Sequence, residues 1–104
     1  MIHIQLVSRD GQNLQTLIRT AISEGHIKSF ETVKVKGGVT ITHKKFIGKI
    51  TLQPTKGPLV ATLLCKNRQK EWQLLETFVG RLVYHFRNQI AGINIQPELD
   101  PDEA

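Results

Sequence analysis

The chain has 104 residues, of which 39% are hydrophobic, enough for one domain with its own core. Fourteen Lys and Arg against nine acids give a net charge of +5; four acids lie in the last seven residues, so the rest of the chain carries fourteen minus five, or +9. The single cysteine excludes an internal disulfide and is typical of a reducing, cytoplasmic setting, and no apolar run approaches the ~20 residues of a membrane-spanning helix.

The first two predicted elements are a strand and a helix. Apolar and polar residues alternate over residues 1–7, which predicts a half-buried strand. Ser8 is the predicted N-cap of a helix over residues 10–24, and Gly25 follows as its stop. The apolar residues of this helix recur at helical spacing: Leu14, Leu17, Ile18, Ala21 and Ile22.

Residues 32–66 are predicted to form four short antiparallel strands. Residues 36–38 fit a three-residue hairpin loop, because that loop pairs Val35 with Val39 and keeps the apolar faces in phase. The side chains predicted to face the core are Val33, Val35, Val39, Ile41, His43, Ile50, Leu52, Leu59, Ala61, Leu63 and Cys65.

The two later turns extend the same register. A loop over residues 45–48 would place Ile41 opposite Leu52. The turn of residues 54–57 would then place Leu52 opposite Leu59. The apolar face stays in phase through all three turns, which favours a continuous meander.

A second helix is predicted over residues 68–91, with Asn67 as its N-cap and Gly92 as its C-cap. A short strand over residues 93–95 follows. Gly80 interrupts the helix, and we interpret it as a point of close approach for the first helix. The predicted apolar stripe consists of Trp72, Leu75, Phe78, Val79, Leu82, Val83, Phe86 and Ile90.

These elements follow the order β-α-β-β-β-β-α-β. Each helix has one apolar stripe and the strands share one apolar face, which predicts an α+β fold: a two-layer sandwich with two helices packed on one face of a mainly antiparallel sheet. Residues 1–96 form a single domain in this prediction, and residues 97–104 form a disordered acidic tail. Its acids are Glu98, Asp100, Asp102 and Glu103.

No pattern in the sequence indicates catalysis. There is no His-x-x-His or His-x-x-x-His pair, and a single cysteine excludes a zinc site built from cysteine pairs. Phosphate-binding loops and nucleophile motifs are missing, and the acids of the body are too few to form a carboxylate pair. We therefore expect a protein that is not an enzyme and needs no cofactor or metal.

The strongest functional signal is the stretch of residues 34–70, which carries nine Lys and Arg and no Asp or Glu. Its lysines are predicted to share the uncovered sheet face with threonine hydroxyls, a surface suited to phosphates. Phe46 either stacks on a base from an exposed loop or folds onto the edge of the core. The candidate nucleic-acid or anion-binding residues are Lys34, Lys36, Lys44, Lys45, Phe46, Lys49, Lys66, Arg68 and Lys70.

Three of these cations, Lys66, Arg68 and Lys70, crowd the predicted start of the second helix. A helix N-terminus already carries roughly half a positive charge, so cations there are unfavourable, and Glu71 offsets them only in part. Either solvent screens this cost or an anion binds there. An anion would use the helix N–H groups together with the side chains.

The order helix, strand meander, helix with a basic start is similar to that of double-stranded-RNA-binding domains, although their glycine-rich loop and lysine-rich helix-start signatures are not present. We interpret the chain as a small cytoplasmic nucleic-acid-binding domain, with RNA ahead of DNA. Two alternatives stay open. One is a protein-interaction or assembly module that docks an acidic protein through the same face with Val60 and Leu64, and the other is a homodimer through the sheet face or an exposed edge strand.

Overall fold

The computed structural model describes residues 1–35 and 38–97. Of the predicted tail, residues 97–104, Pro97 belongs to the last strand and the rest lies outside the described residues. The elements are β1 (Ile2–Ser8), α1 (Leu14–Ser23), β2 (Phe30–Val35), β3 (Gly38–His43), β4 (Lys49–Gln53), β5 (Leu59–Leu64), α2 (Arg68–Phe86) and β6 (Ile90–Pro97). All six strands form one antiparallel sheet in the order β2-β3-β4-β5-β1-β6, and both helices pack on one of its faces. The predicted α+β sandwich and its element order are confirmed.

One hydrophobic core lies between the helices and the sheet. It forms because alternate strand residues and one stripe of each helix are apolar. At its centre, β1, β3, β4 and β5 each contribute side chains that are fully buried. The largest buried side chains are Ile2, Ile4, Leu6, Ile18, Val39, Ile41, Ile50, Leu52, Leu63, Leu74 and Leu82.

The first helix starts later than predicted. Ser8 still belongs to β1, and the turn that follows has positive φ at Asp10 (56°) and Gly11 (71°). Asn13 is the actual N-cap, because its Oδ1 accepts a hydrogen bond from the Thr16 backbone N–H at 3.2 Å. Ser and Asn are equally good caps, so composition alone did not separate the two positions.

The second helix ends at Phe86 rather than at residue 91, because Ile90 begins β6 and pairs with Ser8. Its buried stripe is also rotated from the predicted one: Trp72 is 43% exposed and Val83 is 46% exposed. The buried face consists of Glu71, Leu74, Leu75, Phe78, Leu82 and Phe86.

The predicted register of β2 was wrong by one residue. Val35 pairs with Gly38, not with Val39, so the connection is two residues long instead of three. A slip of one residue exchanges the two faces of a strand. As a result Val33, predicted to face the core, is 55% exposed. The backbone of Lys34 pairs with that of Val39.

The next two turns were predicted with the right phase but a pairing shifted by two residues. Ile41 pairs with Ile50 instead of Leu52, and Leu52 pairs with Ala61 instead of Leu59. A shift of two leaves every side chain on its own face, so the apolar face of β3, β4 and β5 is the predicted one.

The interpretation of Gly80 as a contact with α1 was wrong. A Cβ atom built on Gly80 meets no heavy atom within 4 Å, so the position is open to solvent.

We expect Gly80→Ala to raise the free energy of unfolding by about 0.5–1 kcal/mol, because alanine loses less backbone entropy in a helix. Urea denaturation of the two proteins measures this. Equal or lower stability of the variant would contradict the exposed position.

Candidate nucleic-acid interface

The β3–β4 loop and the β5–α2 junction form one surface, at the end of the sheet where β3 finishes and β4 begins. The Cys65 Sγ lies 2.7 Å from the Ile47 carbonyl oxygen and donates a hydrogen bond to it. Cys65 was predicted to be buried, but it is only half-buried at this surface. We call residues 44–49 together with residues 65–70 the basic end.

Gly48 allows the loop and the junction to meet. Its φ of 146° favours glycine, and a Cβ atom at this position would lie only 3.0 Å from the Leu64 carbonyl oxygen. The same atom would lie 3.1 Å from Leu74 Cδ2 and 3.2 Å from Cys65 Cβ. A side chain at Gly48 would therefore push the loop away from β5 and α2.

The basic end gathers six cations from two segments that are separated in sequence. The ion pairs within the described parts of the chain join Met1 to Glu71 and His26 to Glu24, and none of the lysines of the basic end takes part in them. All six side chains are exposed, so their fields add on one surface. They are Lys44, Lys45, Lys49, Lys66, Arg68 and Lys70.

Glu71, the acid nearest in sequence to these cations, is turned inward and only 8% exposed. Its Oε2 accepts the Cys65 backbone N–H at 3.2 Å and lies 3.4 Å from the Met1 amino nitrogen. Asn67 is the N-cap of α2, as predicted, and its Oδ1 accepts the Lys70 backbone N–H at 3.0 Å. The inward-facing Glu71 carboxylate and the Asn67 cap therefore stabilise the helix start, while its cations face solvent.

His43 fixes the conformation of the β3–β4 loop. Its Nδ1 accepts the backbone N–H groups of Lys45 at 2.9 Å and Phe46 at 3.3 Å. The imidazole ring lies between two phenyl rings, 4.8 Å from that of Phe30 and 4.6 Å from that of Phe46. Phe46 is half-buried and packs against the core, whereas Ile47 at the loop tip is 73% exposed.

Burial lowers the pKa of His43 below its ordinary value of 6.5, and the positive charges of Lys45 and Arg81 lower it further. Arg81 on α2 is therefore a further positive charge near His43. Arg81 is not among the predicted binding residues. Its position, two helical turns after Leu74, indicates that Arg81 lies on the same flank of α2 as Leu74, the residue that faces Gly48.

Of the predicted binding residues, Lys34 is not brought to the basic end. Lys34 lies four residues along β2 from Phe30, which pairs with His43, and four residues of strand span roughly 13 Å. Lys36 lies outside the described residues. Lys56, which belongs to the same basic stretch, is in the β4–β5 turn at the opposite end of the sheet.

Over β3, β4 and β5, the uncovered face of the sheet has the predicted threonines but one lysine, Lys49, in place of the predicted row of lysines. Lys49 is on this face, but it sits at the end of β4. The middle of the face carries hydroxyl, imidazole and amide groups. A row of paired residues crosses five strands: Thr40, Thr51, Thr62, His3 and Gln96.

Within residues 1–35 and 38–97, no three His, Cys, Asp or Glu side chains are grouped so that they could hold a metal ion. Neither helix in that part of the chain is long and apolar enough to cross a membrane. Comparison with protein-family models, curated proteins and solved structures finds no match.

We expect Gly48→Ala to lower the free energy of unfolding by about 1–3 kcal/mol, because the added methyl group overpacks the contact and strains the backbone. The Cys65 thiol should also react faster with a thiol reagent, because its contact with Ile47 loosens. Gly92→Ala is the matched control, since a Cβ at Gly92 meets nothing within 4 Å. Equal stability of the two variants would contradict the close packing at Gly48.

The lowered pKa of His43 predicts a pH-dependent stability. The unfolded chain takes up a proton on His43 near pH 6.5 but the folded protein only at lower pH, so this stabilisation is complete above about 6.5 and is lost as the pH falls through the folded pKa. Urea denaturation at about pH 8 and about pH 5 should show a smaller loss of stability in His43→Asn than in the natural protein. His26→Asn, an exchange at an exposed histidine, is the control. An equal loss with and without His43 would contradict this assignment.

Proposed function

We propose that this protein is a small non-enzymatic nucleic-acid-binding domain whose basic end binds the phosphate backbone, with RNA favoured over DNA. The observation that carries the proposal is the convergence of cations from two distant segments on one exposed surface. Lys44, Lys45 and Lys49 come from the β3–β4 loop and the start of β4, while Lys66 and Lys70 flank the start of α2.

The mechanism that this surface supports is neutralisation of phosphates with release of their counterions. The positive end of the α2 dipole points to the same surface and adds about half a unit of charge. Phe46 packs against the core, so backbone contact rather than base stacking is the main expected interaction. Contacts of this kind bind many sequences with similar affinity and weaken steeply as salt increases.

The polar face next to the basic end supports the preference for RNA. Thr51 lies two residues after Lys49 on the same uncovered face, and its cross-strand partners are Thr40 and Thr62. Threonine hydroxyls can donate hydrogen bonds to and accept them from the 2′-hydroxyl groups of RNA, which DNA lacks. A strand bound at Lys49 and extending across this face would use both kinds of contact.

One observation favours the alternative of an acidic protein partner. Leu64 is 39% exposed and pairs with Lys49, so an apolar side chain and a cation lie side by side on the uncovered face. Val60 on the same strand face is half-buried. An acidic segment with an apolar anchor would contact the lysine and the leucine together.

Three single substitutions test the proposal. Lys45→Gln and Lys70→Gln each remove one cation from the two halves of the basic end, and Lys56→Gln removes one at the opposite end of the sheet. Fluorescence anisotropy with labelled single-stranded RNA, the same DNA sequence and duplex RNA measures affinity across a salt series. The slope of log affinity against log salt should fall by about 0.7 per lost contact for single strands.

Lys56→Gln should leave affinity and slope unchanged. Lys70→Gln should also raise stability slightly in the absence of nucleic acid, because it removes a charge that opposes the helix dipole. Equal losses in all three variants would indicate attraction by net charge alone and would contradict a localised site. Tight binding of an acidic peptide together with weak binding of RNA would favour the alternative.

A further inference from the structure

The two edges of the sheet differ in how well they are protected from pairing with another strand. β6 pairs with β1 on one side, and no described strand lies on its other side. Residues 91–96 carry no charge, whereas the opposite edge strand, β2, includes Glu31 and Lys34. Natural sheets usually protect an exposed edge with charged residues, proline or a bulge, because unpaired N–H and C=O groups attract another strand.

Both ends of β6 are protected from pairing with a further strand. At its start, Arg9 Nη2 donates a hydrogen bond to the Ile90 carbonyl oxygen at 3.2 Å. At its end, Pro97 has no backbone N–H. Next to Ile90, Ala91 forms a bulge, because Ser8 pairs with Ile90 and Val7 pairs with Gly92. The open part of the edge is therefore the uncharged segment of residues 92–96.

The orientation of α2 places an apolar flank on the β6 side. Leu74 approaches Gly48, and the Phe78 ring lies 6.1 Å from the Phe30 ring, so the flank that carries Leu74 and Phe78 faces the β2–β4 side of the sheet. Positions on the other flank of the helix, about half a turn away, must face β1 and β6.

That opposite flank carries Trp72, Val79 and Val83. Trp72 is 43% exposed and Val83 is 46% exposed, although both are apolar. On the adjacent edge strand, Ile95 is 39% exposed. An uncharged strand edge and an exposed apolar helix flank therefore lie on the same side of the molecule, and both could be buried by a single partner.

We propose that a second copy of this chain binds there, with β6 of each copy pairing antiparallel about a two-fold axis and the Trp72 flanks of the α2 helices meeting above the joined sheet. A two-fold contact needs a surface that is complementary to itself, and an uncharged edge meets its own copy without like-charge repulsion. Glu76 on α2 and Arg87, which follows the last residue of α2, border this flank and have opposite signs. This inference does not depend on the proposed nucleic-acid binding.

The charge distribution favours a second copy over other partners. Antiparallel pairing turns one copy end for end, so the two basic ends lie at opposite ends of the joined sheet and do not repel each other at short range. A nucleic acid or an acidic protein would meet no cation on the edge over residues 91–96. Another copy can therefore approach the uncharged segment of the β6 edge at low electrostatic cost.

Sedimentation of the whole chain over a concentration series tests the proposal. The mass should rise from 11.8 kDa to twice that value with increasing concentration. Ile95→Lys and Val83→Lys should each shift the protein to the monomer mass, because they place like charges across the axis. Val33→Lys is the matched control: it adds the same charge at an exposed position of the other edge strand, and it should leave the dimer intact.

Hydrogen exchange of the β6 amides gives a second measurement that needs no variant. Their protection should increase with protein concentration, while amides of the β2 edge should not change. A mass of 11.8 kDa at every concentration would overturn the proposal. So would a dimer that Val33→Lys weakens as much as Ile95→Lys and Val83→Lys do, or protection of β6 that is independent of concentration.

Discussion

The basic end depends on the packing of one loop against one helix start, and that packing requires Gly48 to have no side chain. The Leu64 carbonyl oxygen, Leu74 Cδ2 and Cys65 Cβ surround the position where a Cβ would be, at 3.0–3.2 Å. The loop therefore lies directly on the β5–α2 junction, which brings lysines from two segments of the chain onto one surface. His43 holds the rest of the loop by accepting two backbone N–H groups, so the positions of these lysines follow from ordered backbone and not from flexible tails.

Glu71 shows how the same region keeps its positive field. A buried carboxylate is costly unless it is hydrogen-bonded or paired. Here it accepts the Cys65 backbone N–H and lies 3.4 Å from the Met1 amino nitrogen, so both requirements are met on the inner side of α2. An acid at this sequence position would ordinarily offset the cations at the helix start. Because its carboxylate is buried, it stabilises the junction without neutralising the surface in front of it.

The sequence predicted the element order, the apolar faces of four strands and the Asn67 cap, since these follow from local periodicity and capping chemistry. It did not predict the register of β2. Val33 and Val35 alternate like core residues, but the inward residue is Phe30, which lies just before the segment that was interpreted as a strand.

Nor could the sequence predict the convergence at the basic end, because the contact between Ile47 and Cys65 joins residues 18 positions apart and exists only after β4 and β5 pair. Arg81 was missed for the same reason: its proximity to His43 depends on how α2 is rotated over the sheet.

The position of the cations at the ends of strands has a physical reason. Neighbouring strands lie only about 4.8 Å apart, so lysines paired across the middle of the uncovered face would repel each other, and like charges directly opposite are destabilising. The middle of the face instead carries Thr40, Thr51 and Thr62, which can pair without repulsion. At a loop and a helix start the side chains can diverge into solvent, so several like charges are tolerated there at low cost. The two surfaces are separate for the same reason: charge gathers where strands end, and the edge of β6 stays uncharged where pairing with another strand remains possible.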